Sequence, residues 1–240
     1  MDLKTERWVG AEALIRWRRP NGELVSPDFF IPYAERHHLI NAVTSRVLAL
    51  LAQDAPLLIR AYPEFFVAIN FSASDLCNPT MPDQVQNTLE RAGMAPRNLH
   101  IEATERVFLG QAEASSNVRA FREMGVAMAI DDFGTGYSGL AYLMSLEMDA
   151  LKIDKSFIDP IGSNAVTSQV VHHIIELAKS LGLGMVAEGV ETAEQAEYLR
   201  AHGVQLGQGW YFGKPMAMEA LLNALRNVET SAGGAGASYA

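Results

Sequence analysis

The sequence predicts an α/β fold in which parallel strands form a (β/α) barrel. Two observations predict it: short apolar segments recur along the 240 residues, and an amphipathic segment follows each of them. Strands that alternate with helices pair in parallel through βαβ crossovers. Seven such units favour a barrel with one strand missing or supplied by the first residues, and an open doubly wound sheet is the alternative.

Seven segments are predicted as strands because they are short, apolar and bounded by turn residues. In chain order they are Val9–Trp17, Phe65–Ser72, Asn98–Thr104, Val126–Asp132, Ala150–Phe157, Gly184–Val190 and Val204–Phe212. The amphipathic segments predict helices over Pro27–Gln53, Pro82–Ala92, Ala112–Met124, Tyr137–Leu146, Thr167–Leu181, Ala193–His202 and Met216–Val228. The ends of these segments match helix boundaries, with caps at Asn164 to Ser168 and at Thr192, and terminal glycines at Gly93, Gly125, Gly182 and Gly203.

Composition limits the function classes. The net charge of -9 argues against binding to a nucleic-acid polymer, which needs a basic surface. The single cysteine, Cys77, excludes an intrachain disulfide and fits a reducing compartment. No apolar run in the sequence suggests a membrane span, so we expect no direct membrane contact. The low-complexity end predicts a folded domain over 1–229 and a disordered tail over 230–240.

Polar side chains stand at nearly every predicted strand end, which is where the active site of a parallel barrel lies. In chain order they are Glu12, Arg16, Asn70, Glu102, Glu105, Asp131, Asp132, Lys152, Asp154, Glu188, Glu191 and Gln208. Glu12 and Arg16 are expected on one face of the first strand, and Lys152 and Asp154 on one face of the fifth. Burying so many polar groups without a function is costly, so the pattern indicates a site.

The adjacent carboxylates of Asp131 and Asp132 form the centre of this set. Such a pair repels itself, and a divalent cation with hard oxygen ligands relieves the repulsion. Several carboxylates, an amide and a lysine support metal-assisted displacement at phosphorus. Lys152 and Arg16 have a second interpretation as ordinary ion-pair partners, although the planar guanidinium of Arg16 also suits phosphate.

A competing motif lies in the same stretch. Residues 134–139 spell G-x-G-x-x-G between a strand and a helix, and Asp154 follows Gly134 by twenty residues, as in dinucleotide-binding folds. The two carboxylates would repel a pyrophosphate there, and this hypothesis leaves other strand-end residues unexplained, namely Glu12, Asn70, Glu102, Glu188 and Gln208. We therefore expect the glycines to form a loop that folds over a metal site and gates it.

The combined motifs resemble the EAL family of cyclic-di-GMP phosphodiesterases from about Trp8 to Val228. The matching stretches are Glu12-Ala13-Leu14, Ile69-Asn70-Phe71-Ser72, Ile101-Glu102-Ala103-Thr104-Glu105, the loop from Asp131 to Gly139, Leu151-Lys152-Ile153-Asp154, the run from Val186 to Thr192 and Gln208-Gly209. The resemblance implies a modified TIM barrel and hydrolysis of cyclic-di-GMP to linear pGpG with Mg²⁺ or Mn²⁺, two per site, while Ca²⁺ inhibits. A catalytically silent cyclic-di-GMP receptor is the alternative.

The resemblance also implies a role for each matching residue. Glu12, Asn70, Glu102 and Asp131 correspond to ligands of a first metal, and Asp131 and Asp132 to ligands of a second. Glu188 corresponds to the general base or a further metal ligand, and Lys152 to the residue that holds the nucleophilic water. The remaining matches are substrate-binding Arg16 and Leu14, and the loop and supporting residues Glu105, Thr135, Gly136, Asp154, Glu191 and Gln208.

The resemblance departs from the family at the start of the sequence. Members usually carry one more strand before Val9, and we expect the barrel to lack it here. Family members often dimerise through the region after the 131–139 loop, so a homodimer is predicted. The domain is expected in the cytoplasm, within a larger bacterial protein, with or without an inner-membrane anchor.

Overall fold

A computed structural model describes residues 1–108, 112–134, 148–163 and 169–233. Its main sheet has seven parallel strands in the order β1-β4-β5-β6-β7-β8-β9, curled into a half-barrel with the helices outside. These strands are β1 (Gly10–Glu12), β4 (Phe66–Asn70), β5 (Leu99–Thr104), β6 (Ala127–Phe133), β7 (Ala150–Ile153), β8 (Gly184–Ala187) and β9 (Leu206–Gly207). Each predicted strand segment overlaps one of them, so the predicted parallel α/β architecture is confirmed.

Five predicted strands end earlier than expected, and in two of them the early end corrects an expected face. Strand β1 stops at Glu12, and the chain then forms an antiparallel hairpin of β2 (Trp17–Arg18) with β3 (Leu24–Val25). Arg16 therefore does not share a strand face with Glu12. Strand β7 stops at Ile153, and the side chain of Asp154 instead caps the next helix by accepting a hydrogen bond from the Ser156 N–H.

Most helices follow the predicted amphipathic segments, but the short helices Ala73–Leu76 and Lys155–Ile158 were not predicted, and the second lies largely within the predicted strand segment Ala150–Phe157. The helices are α1 (Pro27–Arg36), α2 (Ile40–Ala61), α3 (Ala73–Leu76), α4 (Met81–Ala92), α5 (Ala112–Met124), α6 (Lys155–Ile158), α7 (Val170–Leu181), α8 (Ala193–Ala201) and α9 (Met218–Gly233). The single helix predicted over Pro27–Gln53 is wrong, because the chain breaks at His38, whose φ is +57°. The predicted helix Tyr137–Leu146 and the predicted cap at Asn164 to Ser168 lie outside the described residues.

Helix α2 is the one described helix whose length and apolar composition would suit a membrane span. Its apolar character has a structural explanation, because one face is buried against the barrel and includes Leu48, Ala55 and Leu58. A polar network also fastens it: the fully buried carboxylate of Asp75 accepts hydrogen bonds from Asn41 (2.8 Å) and Thr44 (2.9 Å). The helix thus packs as part of the barrel wall.

The first residues of the chain lie along the free edge of β9. Leu3 donates its N–H to the Gln205 carbonyl at 2.9 Å, and Gly207 donates to the Met1 carbonyl at 2.8 Å. Asp2 forms an antiparallel bridge with Leu206, and the Leu3 side chain is only 1% exposed. The free side of β9 is therefore partly covered. At the other end of the chain, helix α9 continues to Gly233, beyond the predicted domain boundary at 229.

Candidate active site

The parallel register brings the polar strand ends together. Asn70 and Glu102 are Cα partners on β4 and β5, and Thr104 is the partner of Asp131 on β6. Further along the same sheet, Lys152 on β7 is the Cα partner of Val186 on β8, two residues before Glu188. Because neighbouring parallel strands end at the same edge, residues far apart in sequence meet at one mouth of the half-barrel.

Lys152 lies at the centre of this group. Its side chain is 1% exposed, and its Nζ lies 2.5 Å from Glu188 Oε1, 2.6 Å from Glu102 Oε2 and 3.1 Å from Asp131 Oδ1. A fourth carboxylate oxygen, Glu12 Oε2, is 3.9 Å away. A buried ammonium is stable only with such partners. The Lys152 ammonium therefore draws together carboxylates from four different strand ends.

Glu12 connects the two ends of the open sheet. Its Oε1 accepts a hydrogen bond from Asn70 Nδ2 at 2.6 Å, and its Oε2 accepts one from Gln208 Nε2 at 2.6 Å. Asn70 ends β4, whereas Gln208 follows β9. Glu12 is thus bracketed by two side-chain amides across a gap that has no strand pairing between β1 and β9.

A bulge in β6 decides where Asp131 and Asp132 point. Successive strand residues normally face opposite sides of a sheet. Here the pairing register shifts between Ile130 and Phe133, and Asp132 has a left-handed φ of +52°. Side-chain oxygens of Asp131, Asp132 and Glu188 consequently all lie within 4.8 Å of one another. Positive φ is uncommon outside glycine, and such positions occur often at functional sites.

The electrostatics show an excess of negative charge. Burial raises the pKa of Glu102 to about 8, although Lys152 works in the opposite direction. Burial likewise raises the pKa of Glu188 to about 7. For Lys152, burial lowers the pKa, but the surrounding carboxylates outweigh it and the net shift is upward. The pKa of Asp132 is raised by burial and by the neighbouring Asp131 charge.

These donors fit hard divalent cations. The three clustered side chains offer only carboxylate oxygens, which are the ligands that Mg²⁺ and Mn²⁺ prefer. Positive charge at this point would also favour the ionised carboxylates and so oppose the effects of burial and mutual repulsion that raise their pKa values. Asn70, Glu12 and Glu102 add further oxygen donors beside the cluster.

The other predicted site residues are placed more variably. Leu14 and Arg16 are exposed, and Arg16 Nη1 donates to the Ile15 carbonyl at 2.9 Å. Glu105 is buried at the start of a 3₁₀ turn over Glu105–Phe108. The Glu191 carboxylate pairs with Lys155 Nζ at 2.9 Å. Thr135 and Gly136 lie outside the described residues.

The structure adds an aromatic pair that the sequence analysis did not select. Trp210 and Tyr211 are 63% and 49% exposed and follow Gln208 directly after a glycine. Exposed aromatic rings beside a polar site are typical of surfaces that stack on bases. Their position immediately after a predicted site residue is the signal that would have identified them.

Three comparisons relate the chain to known proteins. The sequence model described as the EAL domain matches residues 1–215. The probable cyclic di-GMP phosphodiesterase PdeB of Escherichia coli (strain K12) is 40% identical over 222 residues, covering 92% of this chain and 42% of PdeB. The cyclic di-GMP phosphodiesterase NbdA of Pseudomonas aeruginosa PAO1 is 40% identical over 217 residues, covering 90% of this chain and 28% of NbdA.

The chain thus spans less than half the length of these two relatives. Among solved structures, the PaMucR phosphodiesterase in complex with c-di-GMP has a TM-score of 0.82 and 36% identity, covering 89% of this chain and 87% of that chain. This similarity confirms the predicted TIM-like barrel. Because the domain model also spans nearly the whole folded part, the chain belongs to the EAL domain family.

Proposed function

We propose that this domain hydrolyses cyclic-di-GMP to linear pGpG. The observation that carries the proposal is the arrangement of Asp131, Asp132 and Glu188, whose oxygens lie within 4.8 Å of one another beside the buried ammonium of Lys152. The names of PdeB and NbdA and the ligand of PaMucR support the substrate. No acidic position that the resemblance implies is replaced in this sequence.

We further propose that two divalent cations occupy the site. Asp131 would contribute to both, with Glu12, Asn70 and Glu102 on one side and Asp132 on the other. Bound Mg²⁺ or Mn²⁺ would lower the pKa of a water and offset charge on the phosphate oxygens. Ca²⁺, which takes longer bonds and more ligands, would occupy the same oxygens in a poorer geometry and inhibit.

The chain's own groups then have distinct tasks. Lys152 donates hydrogen bonds only, so it orients the attacking water by its oxygen and balances negative charge. Glu188, whose Oε1 lies 2.5 Å from Lys152 Nζ, accepts the water proton. The water oxygen forms a bond to phosphorus, the bond from phosphorus to the 3′ oxygen breaks, and that oxygen takes up a proton. Exposed Arg16 is available to a phosphate and Leu14 to the adjoining ligand surface.

The aromatic pair supports a ligand with flat bases. Trp210 is exposed, with Lys214 Nζ 5.1 Å from its ring centroid, and Tyr211 is beside it. Stacking on a base and attraction between a cation and a ring both act through the ring face. The guanine bases of a cyclic dinucleotide would stack on this surface, which begins two residues after Gln208.

The silent receptor remains the second candidate function. A receptor would bind the same ligand but would not need Lys152 and all the carboxylates in one cluster. The distances around Lys152 favour the enzyme, because four carboxylates around one ammonium are costly to maintain for binding alone.

The wider setting of the domain stays a prediction. A homodimer is proposed through the region after the 131–139 loop, whose residues 135–147 lie outside the described part. We propose a cytoplasmic location within a larger protein, which agrees with the greater length of the relatives. A membrane anchor elsewhere in that protein, and the absence of direct membrane contact by this domain, remain untested predictions.

The test is incubation of the domain with cyclic-di-GMP and Mg²⁺, followed by chromatography for pGpG. Glu188→Gln and Asp131→Asn keep side-chain size and are each expected to lower the rate at least 100-fold. The matched control is Glu90→Gln, an exposed helical glutamate that accepts a hydrogen bond from Gln86. Its rate should stay within twofold of the parent rate.

Binding measured by calorimetry separates the two candidates. A folded parent that binds cyclic-di-GMP without producing pGpG, with Mg²⁺ or Mn²⁺ present, supports the receptor. A folded parent that neither binds nor cleaves the compound contradicts both functions.

A further inference from the structure

Two histidines meet on the outer wall of the barrel, in a place that the proposed hydrolysis does not use. His172 lies on α7, and His202 is the C-terminal cap of α8. Their ring centroids are 5.6 Å apart, with an angle of 79° between the ring planes. Together with Tyr198 and Gln169 they line a groove of about 490 Å³.

The ring of His202 is fixed in one orientation. Its Nδ1 lies 2.8 Å from the Tyr198 carbonyl oxygen, and its ring stacks on the Tyr198 ring at 4.0 Å. A carbonyl only accepts hydrogen bonds, so in the neutral ring Nδ1 carries the proton and Nε2 keeps its lone pair. Metal-binding histidines typically show this arrangement, in which the second ring nitrogen donates to a backbone carbonyl.

The ring separation suits a shared metal ion. Zn²⁺ binds imidazole nitrogen at about 2.0–2.1 Å in tetrahedral geometry. Since a ring centroid lies roughly 1 Å beyond the bound nitrogen, two imidazoles on one such ion have centroids about 5 Å apart. The observed centroid separation of 5.6 Å is near this value, and the exposed His172 ring would turn one nitrogen toward His202 Nε2 to complete the pair.

Glu176 supplies a third donor on the same helix face. It lies four residues after His172, which places the two side chains one above the other. Its carboxylate now contacts Lys179 Nζ at 2.8 Å, on the exposed surface. The pKa of Glu176 is lowered first by Lys179, and His172 and His202 lower it further, so its carboxylate lies within their electrostatic reach. Among the described residues, only Asp131, Asp132 and Glu188 already bring three such ligand atoms within 4.8 Å of one another, so Glu176 would have to leave Lys179 and change rotamer to join the two imidazoles.

We propose that His172, His202 and Glu176 form a second metal site, which takes a borderline cation of the Zn²⁺ class. Imidazole nitrogen suits Zn²⁺, Ni²⁺ and Cu²⁺, whereas Mg²⁺ and Mn²⁺ prefer the oxygen donors of the carboxylate cluster. The two sites therefore select different metals. Bound metal joins α7 to α8, the two helices that flank strand β8 along the chain.

The test is calorimetric titration of the untagged protein with Zn²⁺ in a large excess of Mg²⁺, which occupies the carboxylate cluster. The parent is expected to bind Zn²⁺ at a site that the double variant His172→Gln/His202→Gln weakens at least tenfold. Glu176→Gln should weaken it by a smaller factor. His37→Gln is the matched control, because His37 is also an exposed histidine against a tyrosine ring, that of Tyr33, with centroids 4.2 Å apart and the planes tilted by 38°.

Electron paramagnetic resonance of bound Cu²⁺ identifies the donors without relying on activity. The parent should show nitrogen hyperfine coupling from two imidazoles, and the double variant should lose it. Equal Zn²⁺ affinity in the parent and the double variant, or a Cu²⁺ spectrum with oxygen donors only, would overturn the proposal. Circular dichroism confirms that each variant is folded before the comparison is made.

Discussion

At the scale of single residues, Lys152 has the largest influence on the site. It is buried among carboxylates from four strand ends, so it offsets the repulsion that would otherwise oppose folding. Ion pairs of lysines nearer the surface are weaker because water screens them. Lys155, for example, pairs with Asp159 and Glu191 at the surface. The same type of side chain thus has two very different energetic roles.

Replacing Lys152 by methionine should destabilise the metal-free protein by about 3 kcal/mol, because the buried carboxylates lose their counter-charge. Mg²⁺ should recover part of this loss, since cations replace the missing positive charge. Activity should fall at least 100-fold. Urea unfolding with chelator and then with Mg²⁺ measures both effects. Lys155→Met is the control and should cost less than about 1 kcal/mol; an equal loss in the two variants would contradict this account.

His100 gives a pH dependence of stability away from the carboxylate cluster. It stacks on Phe66 at 3.9 Å, and burial lowers its pKa from 6.5 to about 4, although the Asp149 charge opposes the shift. Between these two values the unfolded chain binds a proton that the folded protein excludes. Stability from this residue is therefore present above pH 6.5 and is lost as the pH falls toward 4.

Unfolding free energies at pH 7 and pH 5 test this effect in the parent and in His100→Gln. The parent should lose about 2 kcal/mol more than the variant across that interval. The variant is the reference for the parent, because all other titrating groups are the same in the two proteins. Identical pH dependence in the two proteins would show that His100 binds a proton equally well in the folded and the unfolded state.

At the scale of elements, the turn after β9 positions Gln208. Gly209 has a φ of +154°, and a Cβ there would lie 2.2 Å from the Val190 carbonyl oxygen. Backbone hydrogen bonds link the same segments, because Val190 donates to the Gln208 carbonyl at 3.0 Å. This close approach holds the Gln208 amide within 2.6 Å of Glu12.

Gly209→Ala should therefore lower the free energy of unfolding by roughly 3 kcal/mol, because the turn that carries Gln208 must move. The same movement should lower the rate of pGpG formation. The control is Gly22→Ala, at a φ of +87° with no atom within 4 Å of the added Cβ, which should cost only about 1 kcal/mol. Chemical unfolding and the pGpG assay measure the two effects. Equal destabilisation in both variants would show that backbone conformation, and not the contact with Val190, is limiting.

At the scale of the whole molecule, two kinds of contact bridge or cover part of the gap between β1 and β9. Glu12 links Asn70 and Gln208 through side chains, and the segment Met1–Leu3 covers the free side of β9. The buried Leu3 side chain belongs to the main hydrophobic core. This partial cover therefore depends on local contacts from the first residues as well as on side chains at the strand ends.

Leu3→Ala should cost about 3 kcal/mol of unfolding free energy, as expected for a buried leucine. Leu57→Ala, on an exposed position of α2 with 65% of its surface accessible, should cost less than about 1 kcal/mol. Urea unfolding compares the two. A small effect of Leu3→Ala would mean that the first segment contributes little to the stability of this part of the barrel.

Much of the fold and of the candidate site is determined by the sequence alone. Alternating apolar and amphipathic segments predict all seven parallel strands, because periodicity is a local property that each segment carries by itself. The same local reasoning places Asp131, Lys152 and Glu188 at strand ends, and parallel order brings those ends to one edge. The function class follows from these residue types and from the family resemblance.

Only the tertiary structure decided how these groups meet. The sequence left Lys152 equally suited to an ordinary ion pair, and the distances to four carboxylates place it at the centre of the site. The bulge that turns Asp131 and Asp132 to the same side, and the approach of His172 to His202, depend on register and helix packing. Such features arise from contacts between distant segments, so no local pattern in the chain encodes them.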